Sequence, residues 1–377
     1  METVAARQRP ITQAQSTDLT IDQATNQTQA LVDQVRHAYV HQQPLMITGG
    51  GSKSFYGRSV EGDQLSVSDY RGIINYEPSE LVITARAGTP LHIIEAVLAE
   101  EGQMLGFEPP HYTPHATLGG AIACGLSGPR RPYSGAARDF VLGVTMINGK
   151  GELLHFGGQV MKNVAGYDVS RLMCGAQGTL GVLLDISLKV IPQPASEQTR
   201  ILSGNQKQIQ NLLSKWGRLP LPISATLFHN DQLYVRLSGT ESGTHSAALS
   251  IGGDQIIEDQ LWQQAKELQH PFFTSEQTCW RLSLPPAAPE IPEYLFKNQL
   301  IEWAGAQRWL YSEADHCNII RWAENNGGHA SLIDRNTSDG YTLFHPMSTG
   351  LMALSQRIKK SFDPAGILNP GRLYPDL

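Results

Sequence analysis

The chain has 377 residues, of which 41% are hydrophobic and 17% are charged, and its formal net charge is −6. This composition predicts two ordinary globular domains. The acidic balance argues against nucleic acid as the main partner, because phosphate binding needs a basic surface. The widely spaced Cys124, Cys174, Cys279 and Cys317 offer no zinc or iron–sulfur ligand set, so no metal site is predicted.

The first part of the chain predicts mixed strands and helices. Residues 1–28 are rich in Gln and Thr and are expected to be a mobile tail, while residues 29–42 show the apolar spacing of a helix. The run LMIT then predicts a strand entering a glycine-rich loop, and residues 81–88 predict another strand. The next helix is expected to start with Thr89 as N-cap and to end near Glu101.

The middle of the chain predicts a hairpin and then a boundary. Residues 141–147 and 152–156 are apolar runs joined by Asn-Gly-Lys-Gly, which favours a β-hairpin. Residues 180–190 predict a further strand, and Pro192 and Pro194 mark a domain boundary.

The part beyond residue 194 predicts a separate α+β domain with an antiparallel sheet. Its expected hairpin is 224–229 with 233–238, and a helix is expected near 254–268. The remaining expected elements are strands at 278–284 and 307–312, a helix at 315–325, a strand at 329–334 and a helix at 350–361.

Three glycine-rich loops are candidate ligand sites. In Gly49–Ser54, GGGSKS, successive backbone N–H groups can form an anion nest, with Lys53 assisting. The loop has neither Walker A nor GxGxxG spacing, and a flexible turn is the alternative interpretation. For Ala116–Gly120 and Gly175–Gly181 the alternatives are tight helix–sheet packing and simple turns. All three loops fall within one 140-residue stretch, which favours a bound extended ligand.

The order of these motifs resembles the vanillyl-alcohol-oxidase, or p-cresol-methylhydroxylase, type of FAD-binding family. The motifs are PLMITGGGSK, ATLGGAIA, KNVAGYDVSRL, GAQGTLGVL and the closing FDPAGILNPGRL, which is similar to the family's 2-hydroxy-acid dehydrogenase branch. The resemblance implies an α+β fold, in which a two-lobed FAD-binding domain carries an inserted α+β antiparallel-sheet cap. The implied divisions are the FAD-binding domain at 29–193, the cap at 194–344 and a returning C-terminal segment at 345–377.

The resemblance also implies which residues bind FAD. GGGSKS lacks the His that attaches FAD covalently in some members, so non-covalent FAD is expected; Cys124 is a conceivable thioether site, but a buried free cysteine is the ordinary interpretation. The implied cofactor-binding residues are Gly49, Gly50, Gly51, Ser52, Lys53, Ser54, Thr117, Gly119, Gly120, Ser127, Gly128, Gly178, Gly181, Val182, Asn369 and Gly371.

Catalytic residues are less well defined. Hydroxy-acid oxidation needs a base for the hydroxyl proton and a cation for the carboxylate, but the His-rich Gly-Asp-Gly-Asn metal segment of the sister family is absent. The candidates are Arg281 and Arg236, whose alternative is a solvated strand face, and Lys162, for which no specific role follows. The separated histidines are expected to be structural or exposed; they are His316, His329 and His345.

The resemblance implies an FAD-binding subunit of a complex that oxidises glycolate to glyoxylate and passes electrons to partner redox centres. The expected partners are a catalytic flavoprotein subunit and an iron–sulfur subunit. One alternative is a stand-alone FAD-dependent D-2-hydroxy-acid dehydrogenase of D-lactate type, and another is a scaffold that has lost FAD. No apolar run reaches the ~18 residues of a membrane span, so a cytoplasmic location is expected, with membrane contact only through partners.

Overall fold

The computed structural model describes residues 21–158, 168–256, 260–274, 279–334 and 342–377. Two sheets dominate this part of the chain, and every strand pairing within each of them is antiparallel. The described helices are α1 (Ile21–His41), α2 (Leu91–Glu100), α3 (Leu118–Cys124), α4 (Arg131–Ser134), α5 (Ala137–Phe140), α6 (Val169–Met173), α7 (Gln206–Trp216), α8 (Glu241–Ile251), α9 (Leu261–Lys266), α10 (His316–Asn325) and α11 (Thr349–Phe362).

The first sheet has five strands in the order β3-β4-β8-β6-β7. Its strands are β3 (Ile73–Glu77), β4 (Val82–Arg86), β6 (Val141–Ile147), β7 (Leu153–Gly157) and β8 (Val182–Lys189). A parallel pair and a short antiparallel pair accompany it: β1 (Leu45–Thr48) with β2 (Asp63–Ser66), and β5 (Gln103–Met104) with β9 (Ile191–Pro192). Strand β8, VLLDISLK, is apolar at five of its eight positions, and it supplies side chains to two cores, Leu183 to one and Val182 to the other.

The second sheet has nine strands in the order β13-β10-β12-β11-β15-β16-β14-β17-β18. Its strands are β10 (Ser196–Ser203), β11 (Ile223–His229), β12 (Gln232–Gly239), β13 (Asp254–Ile256), β14 (Cys279–Ser283), β15 (Asn298–Glu302), β16 (Gln307–Tyr311), β17 (His329–Ile333) and β18 (Thr342–Leu343). Helices α7 and α8 contribute to a core with β11 and β12, and α10 contributes to one with β14, β16 and β17. The mixture of helices and antiparallel sheets agrees with the predicted fold class.

The C-terminal segment is bonded to the first lobe. Leu45 N–H of β1 donates to Ile367 O at 2.7 Å, and Asn369 N–H donates to Leu45 O at 3.0 Å. The buried Lys359 ammonium on α11 donates to Asp363 at 2.8 Å and to the carbonyls of Thr179 and Leu368 at 2.8 and 2.6 Å. These contacts bring the closing NPGRL motif beside the first glycine loop.

Three local predictions need correction. Residues 21–28 form the first turns of α1 instead of a tail, whereas residues 1–20 lie outside the described part of the chain. Pro90 is the N-cap residue of α2, because the Thr89 hydroxyl is already bonded to the N–H and carbonyl of Gly72 at 2.9 and 3.1 Å. The helix expected near 254–268 is strand β13 followed by the short helix α9.

Candidate functional site

The larger of two neighbouring cavities lies where strand β1, helix α3 and the C-terminal segment meet. The three glycine loops identified in the sequence all reach it, although the first and the third are more than a hundred residues apart. Among the predicted residues, its lining includes Gly49, Gly50, Gly51, Ser52, Lys53, Ser54, Thr117, Gly119, Gly120, Gly178, Gly181 and Asn369.

The first loop presents its backbone N–H groups to the cavity. Within the described hydrogen bonds, the N–H groups from Gly50 to Lys53 donate to no other group. Gly51 has φ +69°, and a Cβ atom on Gly50 would lie 1.5 Å from the carbonyl oxygen of His115, so glycine is required at Gly50 by close approach and at Gly51 by conformation. Consecutive unpaired N–H groups of this kind form an anion nest.

Helix α3 begins at the same cavity. The Thr117 hydroxyl caps it by accepting from Gly120 N–H at 3.3 Å. Gly119 N–H donates to Ala87 O at 2.7 Å, and a Cβ on Gly119 would lie 2.7 Å from the Ala87 side chain. Tight packing therefore explains Gly119, as the alternative interpretation of this motif held, while the loop also lines the cavity.

Asn369 connects two walls of the cavity. Its side-chain oxygen accepts from Ile47 N–H at 2.7 Å, and its amide nitrogen donates to Gln177 O at 2.7 Å. Asn369 has φ +41°, a conformation that Asn tolerates better than most residues. It therefore fixes strand β1 against the loop that carries Gly178.

Arg372 was not among the predicted residues, yet it organises the first loop. Its guanidinium donates to the carbonyls of Ser54, Tyr56 and Arg58 at 2.8, 3.0 and 2.6 Å, and to the side-chain oxygen of Gln177 at 3.2 Å. It also lines the cavity. An arginine two residues after an Asn-Pro dipeptide gives no local signal of this function, because all four acceptors are distant in sequence.

Lys53 and Cys124 lie in the wall of the same cavity. Lys53 is 5% exposed, and its ammonium donates to Ser52 Oγ at 3.3 Å and lies 5.5 Å from the centre of the Tyr112 ring. Burial lowers the pKa of Lys53 and raises that of Cys124. A thiol kept protonated is a weak nucleophile, which is in keeping with non-covalent binding; that mode of binding stays a prediction.

Four predicted cofactor residues lie elsewhere. Ser127 and Gly128 line a second, smaller cavity, whose wall also includes Phe55 and Tyr56 just after the first loop. Val182 is fully buried in the core beneath β1, and neither it nor Gly371 is among the residues that line the larger cavity. The order of the motifs in the sequence does not show that there are two cavities. Helix α3 lies in the wall of the larger cavity, whereas the segment directly after it lies in the wall of the second.

The second cavity contains Arg281 and several aromatic side chains. Arg281 donates from Nε to the side-chain oxygen of Gln307 at 2.8 Å and from Nη1 to the Tyr56 hydroxyl at 3.4 Å. Its guanidinium carbon lies 5.6 and 5.8 Å from the ring centres of Trp303 and Trp309. Arg281 therefore retains donor capacity beside the second cavity.

Arg236 has a different environment. It is 4% exposed, and it donates to Glu108 at 2.7 Å and to Ser224 Oγ at 2.9 Å. Because its charge is already paired, the structure does not favour Arg236 as a ligand for a substrate carboxylate. The third candidate, Lys162, lies outside the described residues.

The three histidines do not form one site. His316 is exposed and packs edge-on against Trp280, whereas His329 and His345 lie near each other, with ring centres 6.2 Å apart. His345 also contacts Glu324 at 3.3 Å. Over the described ranges no group of three or more His, Cys, Asp or Glu side chains is arranged to hold a metal ion.

The larger cavity fits a dinucleotide cofactor. It combines the free N–H groups of the first loop and the buried ammonium of Lys53, both of which favour a pyrophosphate. Its other wall is apolar and includes Ile47, Val67 and Leu183. An anion site continuous with an apolar slot is what FAD requires.

Comparison with known proteins agrees with this geometry. The model for the FAD binding domain matches residues 24–157, and that for the C-terminal domain of FAD linked oxidases matches 345–373. Glycolate oxidase subunit GlcE of Escherichia coli (strain K12) is 49% identical over 349 residues, which are 93% of this chain and 98% of that protein. These matches confirm the predicted resemblance and FAD as cofactor.

Two more distant relatives and one solved structure are also similar to this chain. D-lactate dehydrogenase of Archaeoglobus fulgidus is 29% identical over 89% of this chain and 86% of its own, and glycolate oxidase subunit GlcD of Bacillus subtilis (strain 168) is 29% identical over 42% of this chain and 34% of its own. An alkyldihydroxyacetonephosphate synthase structure superposes with a TM-score of 0.65 at 13% identity, over 91% of this chain and 75% of that chain. This likeness confirms the predicted fold class.

Among the described helices, none has the length and apolarity needed to cross a membrane.

Proposed function

The chain belongs to the family of FAD-linked oxidases that includes glycolate oxidase subunit GlcE, and from this membership we propose that it is the FAD-binding subunit of a glycolate-oxidising complex. The observation that carries the proposal is the convergence of the three glycine loops on one cavity with an anion nest at its rim. FAD binds non-covalently in this cavity. The FAD-binding domain comprises residues 21–193 and 345–377, and residues 194–344 form the cap.

Each part of the cavity has a task in holding FAD. The N–H groups of the first loop and Lys53 bind the pyrophosphate, while Asn369 and Arg372 keep the surrounding backbone in place. FAD supplies a two-electron acceptor for the oxidation of a 2-hydroxy acid to a 2-oxo acid. The buried walls exclude water from the bound cofactor.

The partners of the complex are a catalytic flavoprotein related to subunit GlcD and an iron–sulfur subunit. Similarity of this chain to a GlcD protein over 162 residues supports a common origin of the two flavoprotein subunits. The four cysteines of the sequence lack the spacing of cluster ligands, so electrons leave the flavin to a redox centre on another chain.

The absorbance of the purified chain between 350 and 500 nm tests the proposal, recorded before and after anaerobic addition of glycolate and D-lactate. We expect a flavin spectrum that glycolate does not bleach in the isolated chain but does bleach in the assembled complex. A colourless protein that takes up no added FAD, yet still assembles, would instead identify a scaffold.

A second candidate function is a stand-alone FAD-dependent D-2-hydroxy-acid dehydrogenase. Arg281 favours it, because this arginine faces a second cavity next to the cofactor cavity and has no carboxylate partner among the described ion pairs. Bleaching of the isolated chain by D-lactate or glycolate, abolished in Arg281→Ala, would support this function over the first.

A further inference from the structure

Glu302 is a buried carboxyl group in the wall of the second cavity. It is the last residue of β15, it is 3% exposed, and no lysine, arginine or histidine nitrogen lies within 4.0 Å of it among the described ion pairs. One of its oxygens, Oε2, accepts both from Gln307 Nε2 at 2.9 Å and from Trp309 Nε1 at 2.8 Å. An isolated carboxylate is expensive to bury, so a group in this position favours its neutral form.

The hydrogen bonds determine which oxygen of Glu302 carries the proton. Arg281 can only donate, so the amide of Gln307 must turn its oxygen to Arg281 and its NH₂ group to Glu302. The indole of Trp309 can only donate as well. With two donors directed at Oε2, the acidic proton resides on Oε1.

The charged groups around Glu302 act in opposite directions. Burial is the largest influence and raises the pKa of Glu302; the bonds from Trp309 and Gln307 and the charge of Arg281 lower it, while Glu108 raises it. Of the other ionisable groups that line the cavity, Lys266 lies 3.5 Å from Glu267, and Tyr56 accepts from Arg281. The net direction is upward.

Two arginines near this cavity have no carboxylate partner among the described ion pairs. Arg281 lines the cavity, and the guanidinium carbon of Arg131 lies 4.4 Å from the centre of the Trp303 ring. Burial and the charges of Arg281 and Arg138 lower the pKa of Arg131, while the charge of Asp139 raises it. Two close cations with no carboxylate oxygen within 4.0 Å among the described ion pairs favour the binding of an anion.

The backbone beside this cavity is strained. Trp303 and Ala304 both have φ +54°, a conformation that costs about 1–3 kcal/mol in residues other than glycine. The strained turn is held by Trp303 Nε1, which donates to Gly128 O at 3.2 Å, and by Ala304 N–H, which donates to Thr226 Oγ1 at 2.8 Å. Strain of this kind is concentrated at ligand sites, and here it holds the Trp303 indole in the cavity wall, against both guanidinium groups.

We propose that the second cavity binds a small carboxylate anion, with Arg281 as the cation that holds it and Glu302 as a neutral acid whose Oε1–H donates to the same anion. An ionised Glu302 would repel a carboxylate bound at Arg281, whereas a protonated Glu302 would donate a hydrogen bond to it. Anion binding is therefore coupled to the protonation of Glu302. The choice of ligand class rests on the proposed function, whereas the arrangement of Arg281, Gln307 and Glu302 does not.

Isothermal titration of the full chain, loaded with FAD, with acetate tests the coupling because acetate is not oxidised. We expect binding that is constant at pH values above the pKa of acetic acid and below that of Glu302, and that weakens up to tenfold per pH unit at higher pH, with proton uptake visible as a dependence of the heat on the ionisation enthalpy of the buffer. Glu302→Gln should bind acetate without this pH dependence, because the amide mimics the neutral acid. Arg281→Gln should weaken acetate binding at least tenfold at every pH.

Two controls separate the proposal from general damage and from the proposed function. Arg357→Gln, which changes an exposed arginine on α11, should leave acetate binding unchanged. The flavin spectrum of each variant, recorded in the same samples, reports the cofactor cavity independently of the acetate site. Absence of acetate binding in the wild type, or a wild-type pH profile in Glu302→Gln, would overturn the proposal even if the chain binds FAD as expected.

Discussion

Arg372 shows how a single side chain can order a cofactor loop. It donates to three backbone carbonyls between Ser54 and Arg58, and hydrogen bonds from a charged donor contribute ~1.5–3 kcal/mol each. We predict that Arg372→Ala weakens FAD binding at least tenfold, and that Arg372→Lys rescues little of it, because lysine lacks the planar fork of donors. The dissociation constant of FAD, measured by the quenching of its fluorescence, provides the test.

Arg357→Ala is the matched control for Arg372, since it removes an exposed arginine of the same C-terminal segment. It should bind FAD as the wild type does. If Arg372→Ala also kept wild-type affinity, the loop would be ordered by its glycines and by Asn369 alone.

His270 predicts a pH dependence of stability. Burial and the nearby His229 lower its pKa from 6.5 to about 4, and its Nδ1 accepts from Phe272 N–H at 3.1 Å, which requires an unprotonated nitrogen. The unfolded chain therefore binds more protons between those two pH values, so the free energy of unfolding rises with pH from about 4 to 6.5 and is unaffected by this group above that range. The full effect is up to ~3 kcal/mol.

Replacement of His270 by Asn isolates this contribution. The amide oxygen can take over the acceptor role toward Phe272 and does not titrate. Chemical denaturation at several pH values should give a shallower slope between pH 4 and 6.5 for His270→Asn than for the wild type. Identical slopes would mean that other groups dominate acid sensitivity.

At the scale of single residues, the sequence predicts the residues that act on their near neighbours in the chain. Gly51, which needs a positive φ, and the hydroxyl of Thr117 act within a few residues of their own position, so the local sequence reveals them. Arg372 donates to loop carbonyls that lie more than 300 residues away in sequence. Gly128 lines the second cavity instead of the cofactor cavity because of the course that the chain takes after α3. Neither fact is visible before the fold is known.

Helix α3 depends on its cap. The Thr117 hydroxyl satisfies Gly120 N–H, and the helix has only seven residues. We predict that Thr117→Ala lowers the free energy of unfolding by ~1 kcal/mol, whereas Thr117→Ser changes it little. Urea denaturation of the FAD-free protein measures this; equal losses in both variants would assign the effect to the lost methyl contact.

The sequence predicts the bounds of elements with regular apolar spacing closely, and it does not predict elements that lack such spacing. Strands β6 and β8 and helix α10 lie within two residues of their predicted bounds, because alternating, continuous or helical apolar spacing persists along them. Helix α8, ESGTHSAALSI, was not predicted, since its Gly, Ser and Thr residues have low helix propensity and packing on β12 and β10 stabilises it. The start of helix α7 does have a recognisable sequence signal, the capping box formed by Asn205 and Gln208.

An ion network joins the two lobes of the molecule; Glu108, Arg130 and Arg236 are its more buried members, and Glu197 is exposed. Glu108 and Arg130 belong to the first lobe, and Glu197 and Arg236 to strands β10 and β12 of the second sheet. Arg130 donates to Glu108 at 3.2 Å and to Glu197 at 2.8 Å, and Arg236 donates to Glu108 at 2.7 Å. Each charge therefore has a partner across the interface, which fixes the cap over the cavities.

Removing Arg236 should be costly because it leaves the largely buried Glu108 carboxylate with one of its two described ion-pair partners, Arg130. We predict that Arg236→Met lowers the free energy of unfolding by ~3 kcal/mol, against less than ~0.5 kcal/mol for the exposed Arg357→Met. In Arg236→Met combined with Glu108→Gln the carboxylate that lost a partner is absent, and Arg130 keeps Glu197, so the double variant should lose less than the sum of the single variants. Differential scanning calorimetry of the four proteins measures the coupling. Additive losses would show that the lobes are held together by apolar packing, with the ion network contributing independently at each position.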